Sequence, residues 1–468
     1  MWGLSARKSP NNGDTQTVRN HRIDSRPHVQ GSAAPLRLRH SARDLTDGGG
    51  LILIRRLWDA LELGAKLDRG ARAVGGFFRP SLMVEVWIVL LLYGGRVLDD
   101  LPLLDRRGIR RLFGWVRVPD PTIFGRWLRR AGPVLVPLLD ELLWYVVRRR
   151  WAAAGGAPKT VTLILDSTVS VRYGLKQAGA ERGYNPKKPG RPSHHPLLAY
   201  LQDTGDCLGV RWRPGNAHTA RGAEAWLRSL IQRLRAAGVA DITVRLDKGF
   251  FSKSMVRALE KLEVHYLLKL PAHAWLQDHQ APWRRSAKGE AIFPGLEVWT
   301  TSGTLWGARL LSIQTRRPLQ GEGLLNLDTF EVPLSAHVLT NLEGIHALTA
   351  WRRYNQGALI EQRIEELGQL GLGGTAVDDL DGNALLWSLG VLAYQLLHTL
   401  RSTALSGSWR WAQPKRLRLW LLRLPGKLTG HARKTYLQLL KHDPSRSLLL
   451  PALRHLAQGL PPPIPAIS

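Results

Sequence analysis

The sequence predicts an α/β protein built on a mixed β-sheet, with a helical domain before the sheet and further helices after it. Three observations carry this. The continuous apolar run VTLILDST ends in Asp166 and has the character of a strand buried on both faces. Beyond it, strand and helix periods follow in the order three strands, helix, strand, helix, strand. Before it, apolar residues recur at helical spacing through residues 51 to 150.

Composition narrows the function classes. Lys and Arg number 66 against 37 Asp and Glu, a net charge of +29. Such an excess repels itself without an anionic partner, and nucleic acid is the commonest one. The basic residues spread along the whole chain, which suits a protein wrapping a duplex better than one with a single membrane-binding helix. The lone Cys207 excludes a disulfide framework and a thiolate zinc site, and fits a reducing cytoplasm. No run is apolar for long enough to span a bilayer. Val86 to Tyr93 is short, and Ala384 to Leu397 is interrupted by Ser388 and Gln395, so both are expected to be buried helices. The first 30 residues lack the apolar core of a secretory signal.

The 468 residues divide where the pattern changes. Residues 1 to 48, rich in Arg, Ser, Asn and Gly, are expected to be a disordered basic tail. Residues 49 to 155 hold LILIRRLWDALELGAKL, PSLMVEVWIVLLLYGG and GPVLVPLLDELLWYVVRRRW, a helical domain suited either to DNA or to packing on the core. Residues 156 to 271 are the first part of the α/β core, with HHPLLAYLQDT, CLGVRWRPGN, ITVRL and HYLLKL as further strands. Residues 272 to 345, with GLEVWTTSGTLWGARLLSIQ and TFEVPLSAHVLT, are expected to form an inserted β-domain. Residues 346 to 402 return to the core with the helices WRRYNQGALIEQRIEELGQL and ALLWSLGVLAYQLLHTL. Residues 403 to 468 are a C-terminal helical/β extension, in which RLRLWLLRLPG and HARKTYLQLL are expected to pair as a hairpin before a Pro-rich end.

Three acids stand out as candidate chemistry. Asp166 closes the first core strand and Asp247 the fourth, where open α/β sheets bind ligands. Glu361 borders the apolar stripe of its helix, although spacing alone does not separate it from Glu365. Three converging carboxylates repel one another without a cation, and oxygen-only ligands suit Mg²⁺ or Mn²⁺. Two such ions serve phosphodiester chemistry. Each acid by itself also reads as a strand-end cap or a solvated helix residue.

The stretches LDSTVSVRYGLKQAGAERGYNPKKPGRPSHHPLLAYL, RPGNAHTARGAEAWLRSL and VRLDKGFFSKSMVRALEKLEVHYLLKL resemble the catalytic half of DDE transposases of bacterial insertion sequences. The resemblance is to the subgroup with a β-domain inserted before the final Glu. It implies a ribonuclease H-like core and selects Asp166, Asp247 and Glu361 as catalytic residues and ligands of two Mg²⁺ or Mn²⁺ ions. In the family pattern the second acid lies in Asp-x-Gly-Phe, matched by Asp247, Gly249 and Phe250, and the Glu helix opens with a Tyr, matched by Tyr354. The family's Arg and Lys on that helix are replaced by Gly357 and Gly368, with Arg352, Arg353 and Arg363 nearby as substitutes.

Other candidate DNA contacts are Lys187, Lys188 and Arg191 in the KKPGR loop, and Tyr354, Arg353, His218 and Trp299. Asn216 and His218 match a family GN-x-H stretch beside the site. Trp299 and Trp306 read either as rings that stack on an unpaired base or, more readily, as core. His194, His195 and His218 do not build a convincing zinc set, since adjacent strand residues face opposite ways. The resemblance implies a cytoplasmic, nucleoid-associated bacterial enzyme that binds terminal inverted repeats and target DNA as a homodimer. It would cut and rejoin strands, with a hairpin intermediate. The alternatives are a degenerate DNA-binding relic and a nuclease that cuts without joining.

Overall fold

The computed structural model of the protein describes residues 16–18, 36–38 and 44–462, apart from 175, 184, 186–187, 291, 293–295, 317–334, 357–358 and 432–433. Five helices come first: α1 (Ile52–Ala60), α2 (Leu63–Gly70), α3 (Pro80–Tyr93), α4 (Arg107–Phe113) and α5 (Pro121–Ala153). Asp120 caps α5 by accepting from the Thr122 N–H, with Pro121 in the first turn. No single described helix is long and apolar enough to cross a membrane.

Nine strands among the described residues then form one mixed sheet. They are β1 (Thr160–Ser167), β2 (Leu197–Leu201), β3 (Cys207–Arg211), β4 (Asp241–Leu246), β5 (His265–Leu270), β6 (Arg284–Arg285), β7 (Glu297–Leu305), β8 (Ala308–Arg316) and β9 (Ser335–Thr340). The order across the sheet is β6-β7-β8-β9-β5-β4-β1-β2-β3. β4 runs parallel to both β1 and β5, and every other pairing is antiparallel.

The two faces are covered differently. Leu163, Leu165, Val244 and Leu246 pack against α6 (Ala223–Ala236) and α7 (Lys253–Lys261). Ile164, Leu198 and Tyr200 face α5 and the buried helix α10 (Leu380–Ala404). Helices α5 and α10 approach so closely that a Cβ on Gly132 would stand 2.6 Å from the Asp381 carbonyl. Between sheet and α10 the chain forms α8 (Ala347–Asn355) and α9 (Leu359–Gln369), and α11 (Arg446–Ala457) lies near the end.

Four expectations change. The strands of residues 272 to 345 do not stand apart, because β9 pairs directly with β5 and β6 to β8 extend the core sheet. The helix expected over WRRYNQGALIEQRIEELGQL is two helices, α8 and α9. The segment RLRLWLL is helical over 416–422, and the hairpin joins Gly426–His431 to Lys434–Leu439 instead. The expected tail is not structureless throughout: Gln16–Val18 pairs with Leu36–Leu38, and Leu45–Thr46 adds a third strand to the hairpin. Asp44 there binds Arg107 and Arg111, and Asp47 binds Tyr93 and Arg423, so residues 44–48 belong to the folded domain.

One carboxylate ties these layers together. Asp206, in the turn from β2 to β3, is fully buried. It accepts from Arg150 Nε at 2.6 Å and Trp151 Nε1 at 2.8 Å on α5, from Thr204 Oγ1 at 2.6 Å, and from Gln395 Nε2 at 2.7 Å on α10. The second Arg150 nitrogen closes a bidentate pair with it. Burial alone raises its pKa, but the Arg150 charge and these hydrogen bonds outweigh it, and the carboxyl is lowered to about 2.

Breaking a buried pair from one side costs about 3–5 kcal/mol, so Asp206→Asn is expected to lower the urea unfolding midpoint strongly at neutral pH. The folded pKa is about 2 against an ordinary 3.8, so this contribution is complete above pH 4 and fades as pH falls towards 2. Unfolding curves for wild type and variant should therefore converge in that window, and a gap that stays constant to pH 2 contradicts the assignment.

Candidate active site

Period-two alternation decides which strand residues reach the site. Val161, Leu163 and Leu165 point to the α6 and α7 face, so Ile164 and Asp166 point to the other. On β4, Val244 and Leu246 take the α6 and α7 face, leaving Arg245 and Asp247 beside Ile164 and Asp166. The last registered pair is Leu165 with Leu246, and one residue beyond it stand Asp166 and Asp247, side by side at the C-terminal ends of two parallel strands. Sequence position and register together therefore place the two acids in contact range of each other's field.

Each acid is held by a backbone N–H. Asp166 Oδ1 accepts from Ser167 N at 2.7 Å, and Asp247 Oδ1 accepts from Gly249 N at 3.0 Å. A Cβ on Gly249 would meet Thr219 at 3.0 Å, which explains a glycine at this point of the motif. Burial and then the neighbouring Asp247 charge push the Asp166 carboxyl up to about 7, with Glu361 adding to the rise. Asp247 is also raised by burial, partly offset by the Gly249 N–H, Lys248 and Lys269.

A cleft of about 490 Å³ opens over the pair, lined by Asp166, Asp247, Arg245, Lys269, Tyr354, Asn355 and Glu361, with Ile164, Leu165 and Leu246 beneath. Tyr354 comes from the last turn of α8 and Glu361 from the first turn of α9. Arg245 and Lys269 lie over the Tyr354 ring, 5.4 Å and 5.6 Å from its centroid. Burial and the Asp247 charge raise the Tyr354 hydroxyl pKa, so it stays protonated as a donor. The cleft thus brings together three carboxylates, two cations and a phenol.

The remaining candidates fall elsewhere. Glu365 is exposed and accepts from Gln369 on its own helix, so it does not share the cleft. Arg363 is buried and paired with Glu366, which also pairs with Arg401 of α10 at 2.9 Å, so it cannot reach a phosphate. Arg352 and Arg353 are exposed on α8, and Gly368 faces open space. Lys187 and Gly357 lie outside the described residues. Lys188 and Arg191 gather over the exposed ring of Tyr173 rather than the cleft. His218 is exposed on the loop whose Thr219 packs against Gly249. Trp299 does not line the cleft; its ring lies under Arg316 and its N–H donates to Glu297. Trp306 stacks on Phe251 with centroids 5.1 Å apart. His194 and His195 each bind a different backbone carbonyl, of Ala178 and Ala217.

Sequence reasoning passed over Arg245, Lys269 and Asn355. Arg245 had a signal: a cation inside the apolar strand ITVRL, immediately before an acid, has to point away from the apolar layer. Among the described residues no three acids, histidines or cysteines stand close enough to hold one ion in this conformation.

Neighbouring parallel strands thus deliver two acids to one cleft, and a helix adds a third. Residues 119–460 match the family described as Transposase DDE domain group 1, and the chain belongs to that family. It is a DDE transposase by class. No curated protein matches the chain. Among solved structures, a piggyBac transposase synaptic complex with hairpin DNA is similar at 12% identity and a TM-score of 0.40, over 82% of this chain and 83% of that one.

Two like charges confined together oppose folding. Asp166→Asn is therefore expected to raise the melting temperature at pH 8 in the presence of a chelator, by up to the few degrees that 1–2 kcal/mol represents in a protein of this size. A lower melting temperature would show that Asp166 stabilises the fold as an ordinary strand-end residue.

Proposed function

We propose that this protein is the transposase of a bacterial insertion sequence, and that it cuts and rejoins DNA at the element's terminal inverted repeats. The observation that carries the reading is the meeting of Asp166, Asp247 and Glu361, from three distant segments, in one cleft with Arg245 and Lys269. The order β3-β2-β1-β4-β5, with β2 antiparallel to both neighbours, supports reading the five central strands as a ribonuclease H-like core.

The donor set fits divalent metal. All three side chains offer oxygen, and Asp166 carries charge repulsion that a cation relieves. Mg²⁺ or Mn²⁺ ions, when bound, would supply charge stabilisation at the attacking and leaving oxygens of a phosphodiester. Asp166 and Asp247 would hold them from the sheet, and Glu361 from the facing wall. Arg245 and Lys269 then neutralise the non-bridging phosphate oxygens, and Tyr354 donates its hydroxyl to the backbone beside the cut. Water attacks the phosphodiester at each end and displaces a 3′-hydroxyl, leaving a 5′-phosphate; that 3′-hydroxyl then attacks a second phosphodiester and displaces the 3′-oxygen of the strand it joins. Pairing two ends requires two active sites, so a homodimer on DNA is part of the proposal, as is a cytoplasmic, nucleoid-associated location.

Asp166→Asn, Asp247→Asn and Glu361→Gln are each expected to abolish Mg²⁺-dependent cleavage of an end-containing duplex while retaining DNA binding, because the basic surface remains. Glu365→Gln should cleave like wild type. A binding readout is independent of activity: Mg²⁺ should raise the melting temperature of wild type and not of Asp166→Asn. Near-normal cleavage by any of the three variants removes that residue from the site. Cleavage by wild type without joined product would leave a nuclease, and metal binding without cleavage a relic.

A further inference from the structure

The C-terminal hairpin, Gly426–His431 with Lys434–Leu439, is built with two unlike faces. Leu428 is buried, and Leu437 and Leu439 are half-buried, all turned to the protein. Residues paired directly across a ladder share a face. Lys427 opposes Gln438, and Thr429 opposes Tyr436, so these four look the other way, together with Lys434. Tyr436 is 47% exposed, and both lysines and Gln438 are exposed. Neither hairpin strand places an acid on this face, the neighbouring Asp47 is taken up by Tyr93 and Arg423, and neither lysine has an ion-pair partner among the described residues.

An outward ribbon face of Lys, Tyr, Gln and Thr does nothing for a core. Its charge and its hydrogen-bonding groups suit a polyanion that also displays donors and acceptors. Two strands about 5 Å apart form a ribbon that the major groove of B-form DNA admits. The hairpin is anchored for such a role: Leu45–Thr46 pairs along Gly426 and Lys427, and Asp47 binds Arg423 just before it.

We propose that this hairpin enters the major groove of duplex DNA, with Lys427 and Lys434 on the flanking phosphates and Tyr436 and Gln438 towards base edges. The proposal rests on the DNA-processing function above and adds a contact surface outside the catalytic cleft.

The test is the double variant Lys427→Gln, Lys434→Gln, with Tyr436→Ala as a separate variant. Both lysines are exposed, so melting temperature should not change. Each lost phosphate contact lowers the slope of log affinity against log salt by about 0.9, so the double variant should lose about 1.8 on an end-containing duplex. Wild type should protect guanine N7 from dimethyl sulfate over the few base pairs the ribbon covers, and Tyr436→Ala should lose that protection. If wild type binds DNA but the double variant keeps the full slope, or no major-groove protection appears, the hairpin proposal fails and the catalytic reading stands. If wild type binds no duplex at all, the catalytic reading fails with it.

Discussion

The Asp206 carboxylate is the constraint on which the arrangement of layers depends. A fully buried charge is tolerable only when its lone pairs are filled, and here the partners come from three directions: α5, the β2–β3 turn and α10. None of these segments satisfies it alone. The N-terminal helices, the sheet and the second half of the chain must therefore assemble together before the charge is paid for. A second buried acid extends the same logic. Glu366 joins Arg363 of its own helix to Arg401 of α10, which fixes α9 on a helix already fixed to the sheet. The position of Glu361, five residues before Glu366 on the same helix, follows from that chain of ionic contacts.

Electrostatics in the cleft run the opposite way. Burial raises both carboxyls, but Asp206 is brought down by the Arg150 cation held against it, whereas Asp166 is raised further by the Asp247 charge. A carboxylate that stabilises the fold is paired within the protein. Asp166 instead shares its cleft with a second acid. Two acids of one core therefore differ in the charge set against them: Arg150 at Asp206, Asp247 at Asp166.

Much of this was legible in the sequence. The runs VTLILDST and ITVRLD announced strands, and a terminal Asp on each placed the pair, because parallel neighbours end at the same edge. Choosing between Glu361 and Glu365 was not possible from helical spacing, since both border the apolar stripe; the pairing of Glu366 with α10 sets the helix rotation. The break between α8 and α9 also escaped the pattern, because the apolar spacing continues across it. The strands after residue 272 looked like a separate domain because alternation reports a half-buried strand without naming its partner. Continuity with the core is a property of β9 pairing with β5, far apart in sequence. Gln395 showed only as a polar break in an apolar run, and Arg150 and Asp206 gave no hint of it, since a buried polar triad is recognisable only once its members meet.

The seam between β5 and β9 bears on how such a chain changes over time. The polypeptide leaves the core at the end of β5, builds β6 to β8, and returns as β9 against the strand it left. Exit and re-entry are thus locked to each other by a backbone ladder, and the path into α8 starts from that lock. β8 belongs to the same join, because Leu311 and Ile313 pack with Ala347 and Ala350 of α8 beside Tyr354, and Arg309 donates to the carbonyls of Leu342 and Ile345. The fold thus ties the helix bearing Tyr354 to strands on both sides of the seam, so a change in β8 reaches the wall of the cleft.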